Sequence, residues 1–137
     1  MPENRVSFID RLVSGSTYLT GGFVGFIWLI GCAILKKETS RFLLFNIYQA
    51  ICLSLFIYVI NLLSVVIHDL LILVPGVRIL VNSLWMFLYS PIFYNWSIVG
   101  LIVFIIYLYL MVVSLFGKIP YFPWISKIIL YQIDRLK

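Results

Sequence analysis

Charge is what this sequence has least of. Of its 137 residues only 11% are Asp, Glu, Lys or Arg, against 64% hydrophobic and 18% aromatic. Soluble domains carry roughly a quarter charged residues, because a chain of this size needs them to cover its surface. The shortage excludes a free cytosolic domain, and the apolar excess excludes a disordered chain, whose composition is the opposite. Nucleic acid is not an expected partner, since the net charge of +5 is scattered between apolar blocks without a basic stripe. Histidine occurs once, as His68, and no thiols or carboxylates stand near it at metal-ligand spacing. Paired carboxylates, a nucleophile–base spacing and a phosphate-binding glycine loop are all missing. The chain is therefore expected to be no enzyme and to hold no cofactor. Nor does an acid stand in the middle of an apolar run, the usual mark of a proton-coupled pump. Cysteine occurs twice, as Cys32 and Cys52. Placed on helices paired about Glu38, the two differ in depth by roughly 12 Å, beyond the roughly 7 Å Cα limit of a disulfide, so both read as small packing residues.

What is abundant is long apolar sequence. The composition and periodicity predict an all-α integral membrane protein, with four transmembrane helices over about residues 15–35, 42–67, 75–91 and 97–116 in a single domain, residues 1–137. Short amphipathic interfacial helices flank them. At the N-terminus Glu3, Arg5, Asp10 and Arg11 alternate with Val6, Phe8, Ile9, Leu12 and Val13 at helical spacing, which predicts a surface-lying helix. The acids and the missing small-residue cleavage site make it unlike a cleaved signal. Within the first span Gly21 and Gly25 form a Gly-x-x-x-Gly pair, expected to let another helix approach closely. That span ends at the polar turn Lys36–Arg41.

The second span holds polar residues on one side. At about 100° per residue, Asn46, Gln49, Asn61 and Ser64 fall within roughly 120° of one face, with Ser54 beside it. Amides avoid lipid, where their donors and acceptors would go unpaired. The stripe therefore faces other helices, as interhelical hydrogen bonds, or water, as one wall of a substrate path. Beyond it, either Pro75-Gly76 opens the third span and Leu70–Val74 lies in the interface or forms a short helix capped by Asp69, or the span starts at Asp69 and takes in Leu70–Val74, with Arg78 about 13 Å in and needing a partner; the first is favoured. Arg78 would then reach the interface, sharing a helix face with Asn82 and pointing with it toward the stripe. Phe93, Tyr94 and Trp96 around Asn95 suit a turn at headgroup depth. Tyr107 and Tyr109 in the fourth span need hydroxyl partners if buried. After Gly117 the segment Lys118–Trp124, with Pro120 and Pro123, stops the helix. The tail over 124–137 reads as an interfacial helix, with Ile125, Ile128, Ile129, Ile133 and Leu136 toward the acyl boundary and Lys127, Arg135 and Lys137 toward anionic lipid.

Four spans place both termini on one side. The terminal segments hold Arg5, Arg11, Lys118, Lys127, Arg135 and Lys137, while Lys36, Lys37 and Arg41 fall across the membrane. The larger group sets the expectation that both termini are cytoplasmic, or stromal in a plastid.

Two stretches resemble a known family. Ser40-Arg41-Phe42, Phe45-Asn46 and Gln49-Ala50 match a Ser-Arg-Phe…Phe-Asn…Gln-Ala signature, and Gly117-Lys118-Ile119-Pro120 with Pro123 and Ser126 matches a Gly-Lys-x-Pro…Pro…Ser segment after the last span. Both are similar to the translocon family named for the twenty-kilodalton subunit of the chloroplast inner-envelope import machinery (the Tic family), which includes cyanobacterial and other bacterial relatives. The resemblance implies four membrane helices in a bacterial inner, thylakoid or plastid inner membrane. It also implies a part in moving precursor proteins, with other membrane subunits and a translocating polypeptide as partners beside the lipid bilayer. Two other classes stay open on the residues alone. One is a small membrane scaffold or assembly factor that passes nothing, and the other a small-solute or ion transporter.

Overall fold

Residues 6–92, 96–123 and 125–135 are described by the structure, a computed structural model. Expectations that fall on Glu3, Arg5, the linker residues Phe93, Tyr94 and Asn95, Trp124, Leu136 and Lys137 lie outside them, as do the side chains of Asp134 and Arg135. The described chain is all α-helical, in six helices: α1 (Phe8–Leu19), α2 (Phe23–Ile34), α3 (Arg41–Ile72), α4 (Arg78–Tyr89), α5 (Ile98–Leu115) and α6 (Ile125–Arg135).

Among the described residues only α3 and α5 are long and apolar enough to cross a membrane, two candidate spans where four were expected. The run read as a first span, 15–35, is broken. Gly21 and Gly22 take positive φ values of 62° and 99°, and α1 ends there in a Schellman motif. The Gly21 N–H bonds the Tyr18 carbonyl at 3.2 Å and the Gly22 N–H bonds the Thr17 carbonyl at 2.7 Å. The N-terminal surface helix and the first half of the expected span are therefore one element, α1, and the second half is α2. Each has 12 residues, about 18 Å of helix, against roughly 30 Å of hydrocarbon. The third run falls short in length: it opens after Pro75 at Gly76, φ 91°, as expected, but α4 has only 12 residues. The second span is longer than expected. It has 32 residues and continues through Asp69 to Ile72, so Asp69 caps nothing and Leu70–Ile72 is ordinary helix. α5 falls within a residue of its expected bounds, and Gly117 stops it at φ 74° as the sequence suggests.

The chain forms two compact units. The first comprises Met1–Leu55 with Tyr107–Lys137, and the second Phe56–Ile106. In the first, α1 and α2 form a helical hairpin against the start of α3. Gly21 and Gly25 do not share a helix face: Gly21 is a turn residue, whereas Gly25 lies in α2 where a Cβ would stand 2.6 Å from Thr17 and 2.8 Å from Ile47. The turn is held by the Ser54 hydroxyl, which donates to the Gly21 carbonyl at 2.7 Å and lies 2.7 Å from the Tyr107 hydroxyl. Ser54 has one proton, so Tyr107 must donate to it. Tyr107 thus has its partner, while Tyr109 is exposed. Ser54→Ala should destabilise the hairpin by about 1 kcal/mol, read as a drop in unfolding temperature in detergent. Tyr107→Phe should lose less, because the Ser54–Gly21 bond survives it.

The tail packs inward. Ile129 and Ile133 of α6 are buried against Phe45 of α3, with Ile125 and Leu130 around them, whereas Ile128 is exposed. The apolar stripe expected to face lipid thus splits, and the side carrying Ile129 and Ile133 closes the core of this unit. Cys32 is buried but Cys52 is exposed, so only Cys32 is a packing residue; both are free thiols.

Candidate functional site

The interior of the first unit is polar at its centre. Tyr18, from α1, inserts between Asn46 and Gln49 on successive turns of α3, its hydroxyl 3.0 Å from Asn46 Oδ1 and 3.1 Å from Gln49 Oε1. On its far side the Gln49 amide reaches Ser126 Oγ at 3.3 Å, and Ser126 Oγ accepts the Phe122 N–H at 2.7 Å. Asn46 Nδ2 donates to the Phe42 carbonyl at 2.8 Å. Tyr18, Asn46, Gln49 and Ser126 are all at most 1% exposed. The Gln49 amide has two orientations that fill the same space. In one, a single tyrosine proton is shared between two oxygens. In the other, Nε2 donates to Tyr18, Tyr18 donates to Asn46, and Ser126 donates to Oε1, which gives the Tyr18 and Ser126 hydroxyl protons one acceptor each. Either way α1, α3 and the start of α6 are joined by side chains 31 and 77 residues apart from Gln49.

This relay collects the residues of both sequence motifs. Ser40 is the helix cap of α3, its Oγ accepting the Leu43 N–H at 3.3 Å. Arg41 opens the helix on the surface, and Phe42, Phe45 and Ala50 are buried beside Asn46 and Gln49. From the second motif, Gly117 lies under the Arg11 guanidinium, where a Cβ would meet Nε at 2.8 Å. Pro120 and Ser126 are buried, while Lys118 and Pro123 are exposed.

The rest of the polar stripe belongs to the second unit. Tyr89 makes a long contact to Asn61 Oδ1 at 3.5 Å and stacks on Trp85 with ring centroids 4.1 Å apart. Trp85 in turn lies 4.2 Å from the His68 ring. His68 Nδ1 is 3.1 Å from Asp69 Oδ1, and its Nε2 is buried without a hydrogen-bond partner among the described residues. These rings, with Ser64, Ile67 and Leu71, line an open groove of about 290 Å³. Arg78 is exposed and Asn82 half-buried, and neither makes a hydrogen bond or ion pair among the described residues. The contact from α4 to the stripe comes instead from Tyr89, on Asn61. Tyr18 and Trp85 were not singled out by sequence: Tyr18 stands in an uncharged run and its amide partners lie 28 and 31 residues away, and Trp85 stands in an apolar run with His68 far from it in sequence.

The class these features define is an all-α protein with a buried polar relay and two long apolar helices. No protein-family model, no curated protein and no solved structure matches the chain.

Proposed function

We propose that this chain is a membrane-embedded subunit of a protein-translocation machinery, crossing the bilayer twice. The observation that carries the reading is the convergence of the two motif segments. Ser40–Ala50 and Gly117–Ser126 were matched separately, yet Gln49 and Ser126 meet in one buried hydrogen bond. Segments similar to one family and joined in space are what a shared structural signature requires. Membrane residence is supported by the inverted distribution of polarity. Ser14, Thr17, Asn46, Gln49, Ser114 and Ser126 are buried, while Phe56, Ile60, Leu63 and Ile105 are exposed, the reverse of a soluble fold. Only 11% of the most apolar stretch of either long helix is buried, too little for the core helix of a soluble protein.

Two crossings also simplify the charge balance. All that precedes α3 and all that follows α5 then lie on one side, which brings Lys36, Lys37 and Arg41 to the side of the termini. Of the ten basic residues only Arg78 falls in the segment between the spans. The positive-inside rule assigns the nine-residue side to the cytoplasm or stroma. Single cysteines at Lys37 and Lys127, in a Cys32/Cys52-free background, should therefore label from the same side. Labelling of position 37 from the opposite side would restore a crossing in the first 35 residues.

On this reading the two halves of the stripe differ in role. Asn46 and Gln49 hold helices together, and Asn61 and Ser64, beside the open groove of the second unit, are the half that meets a passing chain, with partner subunits completing the path. A photo-cross-linker at Ser64 should capture an arrested precursor, and one at Ile105 should not. Capture from Ile105 alone would refute the reading. The scaffold reading draws on the complete burial of Asn46 and Gln49. It is favoured instead if the chain purifies in a stoichiometric membrane complex, Ser64 captures only subunits of that complex, and deletion leaves transport intact.

A further inference from the structure

In the first unit two cavities meet on α2. One, about 300 Å³, is mixed: Asp10, Lys37 and Glu38 bring charge and Ser7 and Ser40 hydroxyls beside apolar Ile9 and Leu43, at the start of α1, the turn after α2 and the cap of α3. The other, about 400 Å³, is apolar and runs beside α2 past Val24, Ile27, Gly31 and Leu35. Trp28, Cys32 and Lys37 line both. The apolar cavity owes its depth at mid-helix to Gly31, where a Cβ would meet no heavy atom within 4 Å. A chamber that carries charged groups and shares a wall with an apolar trough suits an amphiphile, and the trough from Val24 to Leu35 covers about 16 Å of helix.

We infer that this paired cavity binds one phospholipid with a primary-ammonium headgroup, its headgroup among Asp10, Lys37 and Glu38 and one acyl chain along α2 past Gly31. The inference rests on the membrane reading above. Charge selects the headgroup. Lys37 makes no ion pair with Asp10 or Glu38 among the described residues, so one cation and two anions face the same space unneutralised by one another. Lys37 and the positive end of the α3 dipole suit the phosphate. The two carboxylates suit an ammonium, whose N–H groups they can accept. An anionic headgroup without an amine would meet a net negative chamber. A choline would offer no N–H to the carboxylates and would find a single aromatic ring, Trp28, rather than a cage. Trp28 stands where both cavities meet, the depth that amphipathic rings favour.

The test uses the full chain in nanodiscs of equal parts phosphatidylethanolamine, phosphatidylcholine and phosphatidylglycerol, with lipid retained after transfer to mild detergent counted by native mass spectrometry. One phosphatidylethanolamine per chain is expected, at least tenfold over either competitor. Gly31→Phe fills the trough in open space, without a clash to unfold the hairpin, and should reduce retention at least tenfold. Asp10→Asn with Glu38→Gln should shift the preference toward phosphatidylglycerol. Equal retention of all three lipids, or retention unchanged by Gly31→Phe, would overturn the site. Alkaline extraction of membranes separates this from the reading beneath it: a chain that stays in the pellet but retains no selected lipid removes only the lipid site, whereas a chain released to the supernatant removes the membrane reading as well.

Discussion

Tyr18→Ala is expected to destabilise the protein by about 4 kcal/mol, the loss typical of deleting a buried aromatic ring. The ring is 1% exposed, and its removal leaves both a cavity and two amide groups, Asn46 and Gln49, facing it without their partner. Tyr18→Phe separates these effects. It keeps the ring and removes only the hydroxyl, which should cost about 1–2 kcal/mol. Interhelical hydrogen bonds in membranes average less, about 0.6 kcal/mol, because the unfolded chain finds other partners in lipid. Here two buried amides lose the one hydroxyl they share, which puts the loss above that mean. Tyr18→Phe combined with Asn46→Leu should lose less than the sum of the two single changes, since an apolar pair leaves nothing unsatisfied. Unfolding followed by tryptophan fluorescence in mild detergent measures all three. Strict additivity would mean that the hydroxyl and the amide do not act together.

The second large effect is expected at the glycines of the hairpin. Gly25→Leu must place a side chain where even a Cβ stands 2.6 Å from Thr17 Cγ2 and 2.8 Å from Ile47. Thr17 and Ile47 are β-branched and stiff, so α2 must move off α1 and α3, a loss of about 3 kcal/mol. Gly22→Ala adds strain of another kind. Its φ of 99° disfavours any side chain, and the new methyl would stand 3.2 Å from the backbone of Ile51. Both variants should expose residues 8–34 to protease while α3 and α5 stay resistant. A uniform loss of resistance along the chain would show that the hairpin is not a separable layer.

These glycines also show where sequence reading succeeds and where it stops. The stops at Gly117 and at Pro75-Gly76 were legible because each combines a glycine with a proline, and such pairs punctuate helices whatever surrounds them. Gly21-Gly22 carried a comparable signal, but it stands inside an uncharged run, and the spacing of Gly21 and Gly25 fits a helix face equally well. Apolar length alone does not distinguish one 20-residue span from two 12-residue helices folded together. The stripe of the second span was legible as a face but not as a destination, because periodicity places Asn46 and Asn61 on one side without saying what meets them. Tyr18 answers the first and Tyr89 the second, each 28 residues from its partner. Similarly, amphipathicity over 124–137 located α6, which runs over Ile125–Arg135, but the pattern that suits a lipid surface also suits the ring of Phe45.

The bond between Gln49 and Ser126 has a consequence for biogenesis. As the chain leaves the ribosome, α1, α2 and the first turns of α3 are available early, and Tyr18 can find Asn46 while translation continues. The other end of the Gln49 amide and the open side of Phe45 have nothing to close on until residues 122–133 are made. A half-built chain therefore presents a polar group and an aromatic ring together, a state that favours holding by a chaperone or insertase until the late helix arrives. Synthesis order thus sets a checkpoint: the hairpin can dock first, but it is sealed only by the segment that follows α5.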